Sequence, residues 1–167
     1  MSKAFTDEDA VGPEPVVPPR APLPPGVPNY VTARGLALLR DELAALNAER
    51  ARVERALDGA DRTHALAALA GRRAELEQRI ASAEVVDLPA EATDVVRFGA
   101  TVTVEGASGA RSYRIVGVDE ADAAQGRIAF VAPLARALVG RAAGDVVRVR
   151  VPRGEEELEI VRVAYEA

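Results

Sequence analysis

Residues 36–66 read LALLRDELAALNAERARVERALDGADRTHAL, and this stretch decides the N-terminal half of the fold. Leu36, Leu39, Leu43, Leu46, Val53 and Leu57 follow one another at steps of 3, 4, 3, 7 and 4. That spacing puts them on one face of an α-helix as a heptad seam, with Arg50 in the vacant slot. Beyond Asp58-Gly59-Ala60-Asp61 a second seam runs through Leu66, Leu69, Leu76, Ile80 and Ala83, with Arg73 in its vacant slot. Gly59 suits a left-handed position that stops the first helix. Asp61 or Thr63 suits the N-cap of the second helix, and Thr32 that of the first. So short a link forces the two helices antiparallel. The prediction is a hairpin with arms of about 25 and 21 residues, or about 37 and 32 Å at 1.5 Å per residue.

Upstream of the hairpin, eight of the 11 prolines fall within residues 1–28. Proline fixes φ and removes a backbone donor, so helix and sheet cannot propagate there. A disordered or polyproline-like leader is expected, acting as a spacer or as a proline-rich ligand. Downstream, over residues 85–167, the period switches to 2. Thr101–Val104, Ser112–Val118, Val147–Val151 and Leu158–Val163 read as strands. Gly106 to Gly109 and Pro152-Arg153-Gly154 mark turns. Between strands, Pro133 opens and Gly140 closes a short helix. The fold class is therefore α+β: a leader over 1–28, an antiparallel coiled-coil hairpin over 29–86, and a small α+β domain over 87–167.

Composition narrows the function. With no Cys and a single His, His64, thiolate metal sites are excluded, and a catalytic triad would rest on one residue. There is no Trp, and aromatics make up 4%, which argues against a base-stacking platform. The net charge of −5 excludes a DNA-coating protein and favours a protein partner. The first twenty residues lack the basic-then-apolar pattern of a signal peptide, and no long uncharged apolar run is present. A cytoplasmic protein without membrane contact is expected. The seam arginines carry two readings. Their stems can pack while the guanidinium groups reach solvent. Alternatively they join Arg52, Arg55 and Arg72 in a basic stripe facing nucleic acid or an acidic partner.

Over residues 30–167 the chain resembles the GreA/GreB transcript-cleavage family. Phe98-Gly99-Ala100-Thr101-Val102-Thr103-Val104 is similar to the first strand of that family's C-terminal domain. Ser112 through Asp122 resembles its second strand and the loop that follows. Pro133-Leu134-Ala135-Arg136-Ala137-Leu138-Val139-Gly140 resembles its helix motif, with Gly144-Asp145-Val146-Val147 after it. Thr32-Ala33-Arg34-Gly35, Leu39-Arg40-Asp41-Glu42-Leu43 and Ser82-Ala83-Glu84-Val85-Val86-Asp87 resemble the ends of its hairpin. The resemblance implies an FKBP-like C-terminal domain docked on bacterial RNA polymerase and a coiled coil inserted into the secondary channel. There it would act on nascent RNA in the DNA-bound elongation complex. It also implies a monomeric accessory factor without catalysis of its own, whose tip carboxylates help hold a Mg²⁺ ion in the polymerase active site.

Two features depart from the family pattern. The hairpin is shorter by roughly one heptad per arm, which retracts the tip by about 10 Å. The tip also lacks the family's Asp-x-x-Glu-Asn motif. In one alignment Asp61 keeps the first carboxylate and His64 replaces the second, and a neutral imidazole is a poor Mg²⁺ ligand. In the other, Asp58 and Asp61 supply two carboxylates three residues apart, although Asp61 is also a natural helix cap and Asp58-Gly59 a common turn pair. These features favour a channel occupant that regulates elongation over a strong stimulator of cleavage. For docking, Pro133, Leu134 and Arg136 match the segment that touches the polymerase rim, while Ala132 stands where the family has Ser. A peptidyl-prolyl isomerase or chaperone and a coiled-coil adaptor are the competing classes. No nucleophile or general-base constellation supports an independent hydrolase.

Overall fold

The computed structural model describes residues 20–91 and 93–166. Helix α1 spans Ala33–Ala56 and helix α2 spans Gly59–Ala81, close to the predicted arms. Buried Leu39, Leu46, Leu69 and Leu76 form the seam, with Leu43, Val53 and Ile80 packed against them. The seam frays toward the turn, where Leu57 is exposed. The vacant slots behave as solvated positions. Arg50 Nε donates to Glu54 Oε1 at 3.0 Å, and Arg73 Nε to Glu77 Oε1 at 2.8 Å. Both are i,i+4 pairs within one helix.

Thr32 caps α1 as expected, its hydroxyl accepting from Gly35 N at 2.8 Å. The turn differs from the prediction. Leu57 is the C-cap of α1, Asp58 occupies the N-cap of α2, and Asp61 lies in the first turn. Gly59 opens α2 with φ 59° instead of closing α1. A two-residue link leaves no room for separate stop and start signals, so one left-handed glycine makes the reversal. Ala83, read as part of the second seam, lies past the end of α2 in a strand.

That strand, β2 (Ala83–Val85), pairs in parallel with β1 (Asn29–Val31), closing the base of the hairpin. The C-terminal sheet contains β3 (Ala100–Gly106), β4 (Gly109–Val116), β5 (Arg127–Ala129), β6 (Val146–Val151) and β7 (Gly154–Tyr165), in the order β5-β4-β3-β7-β6. Only the β4–β5 pairing is parallel. Strand β4 ends at Val116, short of the predicted Val118, because Val118–Glu120 turns into a 3₁₀ helix. Val147 and Val149 face the core, while Arg148 and Arg150 lie opposite Glu157 and Glu155 on β7. Between Thr103 and Val104 the register with β7 shifts by one residue, leaving Val161 out of the ladder. This bulge lets both Ile160 and Val163 reach the core side, which strict alternation would forbid. Helix α3 (Pro133–Leu138) adds Ala135 and Leu138 to that core.

The leader expected over residues 1–28 lies outside the described residues as far as residue 19. Residues 20–28 contain no helix or strand, as their prolines require, but they are tied down. Arg20 pairs with Glu42 and Asp119, and Arg79 donates to the Ala21 carbonyl. No helix among the described residues is long and apolar enough to cross a membrane.

Candidate functional site

Chemistry-bearing residues gather in three places: the hairpin tip, the α3 face and the joint between hairpin and sheet domain. At the tip the Asp58 side chain is fully exposed and makes no capping hydrogen bond. Its nearest cation is Arg62, Nη1 to Oδ1 at 3.9 Å, too long and too solvated to hold the carboxylate in place. Asp61, on the first turn of α2, and His64, on the second, are exposed, and Thr63 Oγ1 donates back to Gly59 O at 3.1 Å. A carboxylate at the N-cap and another in the first turn both complement the positive end of the helix dipole. Among the described residues no cluster of three or more His, Asp or Glu could hold a metal ion. Asp58 and Asp61 are the two carboxylates that the tip presents.

Of the basic candidates, Arg72 lies 3.9 Å from Glu49 of the other helix, so its charge is partly balanced. Arg52 and Arg55 are exposed and form no ion pair among the described residues. Arg50 and Arg73, in the seam slots, are paired to Glu54 and Glu77.

On the sheet domain, Pro133 occupies the first turn of α3 after Ala132, which has no side-chain oxygen with which to cap the helix. Pro133 and Arg136 are exposed, Leu134 is half-buried, and Ala135 and Leu138 point into the core. The split follows helical periodicity, one face packed and one presented. Pro133 and Leu134 border a cleft of about 320 Å³ between α3, β4 and β6. Its floor includes Val104, Val149 and Leu158, and its rim includes Arg111, Arg148 and Arg150. The predicted docking residues thus lie on one short helix, next to a cleft of mixed character in which Glu156 stands among the arginines and Arg148 is paired to Glu157 at 2.8 Å. They share no surface with the tip, which stands about 35 Å from the hairpin base at 1.5 Å per residue.

The joint was not singled out from the sequence. Tyr30 of β1 packs against Phe98 and Phe130 of the sheet domain, with ring centroids 6.1 and 5.5 Å away. Beside this cluster, consecutive acids at the end of the 3₁₀ helix take hold of different parts of the hairpin. Glu120 accepts from Thr32 Oγ1 and lies 3.3 Å from Arg34 Nη1. Asp119 accepts from Arg20 Nη1 at 2.6 Å and lies 3.5 Å from Arg79 Nη1. Asn29 Nδ2 donates to Arg79 O at 2.9 Å and to Ser82 Oγ at 3.1 Å. The one available signal was slight: Asp119-Glu120 follow a β-branched run broken by Gly117.

The fold is thus a helical hairpin anchored at its base to a small α+β domain, with a polar free end. Residues 91–165 match the family described as "Transcription elongation factor, GreA/GreB, C-term". The chain is 56% identical over 97 residues to transcription elongation factor GreA of Anaeromyxobacter sp. (strain K), covering 57% of this chain and 58% of that protein. It is 41% identical over 153 residues to GreA of Alkalilimnicola ehrlichii, covering 81% of this chain and 96% of the relative. A solved GreA/GreB structure from Nitrosomonas europaea aligns at 26% identity and a TM-score of 0.42, covering 81% of this chain and 98% of that one. The chain belongs to the GreA/GreB family of transcription elongation factors.

Proposed function

We propose that this protein is a secondary-channel regulator of bacterial RNA polymerase, cytoplasmic and accessory to the enzyme. The observation that carries this reading is the division of labour along the molecule. A hairpin held only at its base ends in free carboxylates, while the docking residues Pro133, Leu134 and Arg136 sit on a separate domain. Pro133 and Leu134 would supply apolar contact at the polymerase rim. Arg136, exposed and without an ion pair among the described residues, would favour an acidic partner surface and speed the encounter. The hairpin would then enter the channel and exclude other occupants by volume.

At the channel's end, Asp58 and Asp61 would bring negative charge. Bound Mg²⁺ would be the polymerase's, and the supporting role of the tip is to add carboxylate oxygen near it. The solvated Asp58 side chain, the missing Asp-x-x-Glu-Asn motif and the short arms favour channel occupancy over strong stimulation of RNA cleavage. The isomerase alternative loses ground because Phe98 and Phe130 turn toward Tyr30, leaving Tyr113 as the aromatic ring at the cleft.

The test is transcript cleavage in a stalled, backtracked complex of the cognate polymerase, comparing wild type with Asp58→Ala/Asp61→Ala at saturating concentration. Little acceleration by either, with binding shown by competition against a known channel factor, is the expected result. Strong cleavage lost in the variant would instead make the two aspartates working carboxylates. Failure of the folded protein to bind polymerase would overturn the reading.

A further inference from the structure

Arg20, within the proline-rich leader, reaches two parts of the molecule at once. Arg20 Nη2 donates to both carboxylate oxygens of Glu42 on α1, each at 2.6 Å, and Nη1 donates to Asp119 of the sheet domain at 2.6 Å. One residue further on, the Ala21 carbonyl accepts from Arg79 Nη2, on the last turn of α2. Pro22 and Leu23 then lie along Glu75, Gln78 and Ser82.

These contacts are worth more than ordinary surface pairs. The Asp119 side chain is only 7% exposed and that of Arg79 only 9%. Their direct approach, at 3.5 Å, makes no hydrogen bond, and Arg79 Nη1 and Asp119 Oδ2 have no other partner. Asp119 is therefore satisfied mainly by Arg20, and Arg79 mainly by Ala21. Withdrawing the segment would leave two nearly buried charges with only each other, the situation in which lost partners cost most. Burial works against the charge on Arg20, yet its hydrogen bonds to Glu42 and Asp119 outweigh this and raise its pKa above the ordinary value.

We propose that residues Arg20–Leu23 form an intramolecular strap that fixes the angle of the hairpin on the sheet domain, with Arg20 as its clasp between Glu42 and Asp119. The strap works through leverage. A tilt of about 10° at the base moves a tip about 35 Å away by about 6 Å. The inference rests on contacts within one molecule and does not depend on the polymerase reading.

Two measurements on the full chain test it. The protein has no cysteine, so Ala60→Cys at the tip and Ala107→Cys in the β3–β4 turn give a specific spin-label pair. In Arg20→Ala the distance distribution between the labels should broaden, and Arg20→Lys should restore part of the narrow one. In hydrogen exchange, amides of residues 76–82 and 118–120 should exchange about tenfold faster in Arg20→Ala, with β3 amides unchanged. An unchanged distance distribution together with unchanged exchange would overturn the strap. Faster exchange spread evenly through β3 and β7 would overturn it too, because it would signal general destabilisation instead of a released joint.

Discussion

Gly117 presses against the backbone of Tyr30 so closely that a Cβ at position 117 would lie 2.6 Å from the Tyr30 carbonyl oxygen. The contact joins the exit of β4 to the strand that begins the hairpin, and both partners are backbone, so neither can swing aside. Gly117→Ala should therefore destabilise the protein by about 1–3 kcal/mol, the usual range for overpacking. Urea unfolding checks this. A midpoint equal to wild type would mean that the joint is looser than its geometry indicates.

Thr32 works for both parts of the molecule, capping α1 and donating to buried Glu120. Thr32→Ala should cost about 1–2 kcal/mol, toward the upper end for a lost cap because Glu120 also loses a donor. Thr32→Ser should stay close to wild type. Thermal denaturation of the two variants side by side separates hydroxyl from methyl.

The Arg136 side chain is exposed and makes no hydrogen bond or ion pair among the described residues. Arg136→Glu should leave the melting temperature within a degree or two while weakening binding to the cognate polymerase about tenfold, or about 1.4 kcal/mol. Unaltered affinity in titrations at low salt would remove α3 from the docking surface.

Tyr165 ties the end of β7 to the start of the sheet domain, donating to Val95 O at 2.6 Å and accepting from Arg97 N at 3.0 Å. Burial raises its pKa above the ordinary 10.0, outweighing the opposing contact with Arg97. Because the folded-state pKa lies above the unfolded one, this contribution is fully present below pH about 10 and is lost as pH rises through the folded value. Tyr165→Phe should be less stable at neutral pH, and its disadvantage should shrink in strongly alkaline solution. Unfolding midpoints measured from pH 8 to 11.5 check the slope.

Periodicity carried much of this architecture. Leucines at heptad steps can bury their side chains only on a helix that packs against a second one, so 36–80 had to be a hairpin. Alternating Val147, Val149 and Arg148, Arg150 had to be a half-buried strand. The cap at Thr32 was legible because its hydroxyl satisfies amides three residues away. The tip was misread at Asp58, Gly59 and Asp61, since in a two-residue link stop and start signals compete for the same positions. The candidate site was legible only as separate pieces. Pro133, Leu134 and Arg136 could be picked out, but not the cleft beside them, whose walls come from β4 and β6.

By itself the sequence determined what depends on neighbours within a turn or a strand: the two arms, the alternating faces, and the α3 segment with one face inward and one outward. The tertiary structure decided everything that depends on pairing across long separations. It brought Ala83 to Asn29 in a parallel pair, gave Val161 to a bulge, and placed Asp119 and Glu120 against Arg20, Arg79 and Thr32. Such contacts leave no periodic trace, because the partner of a charge 99 residues away is set by where the packed core carries it.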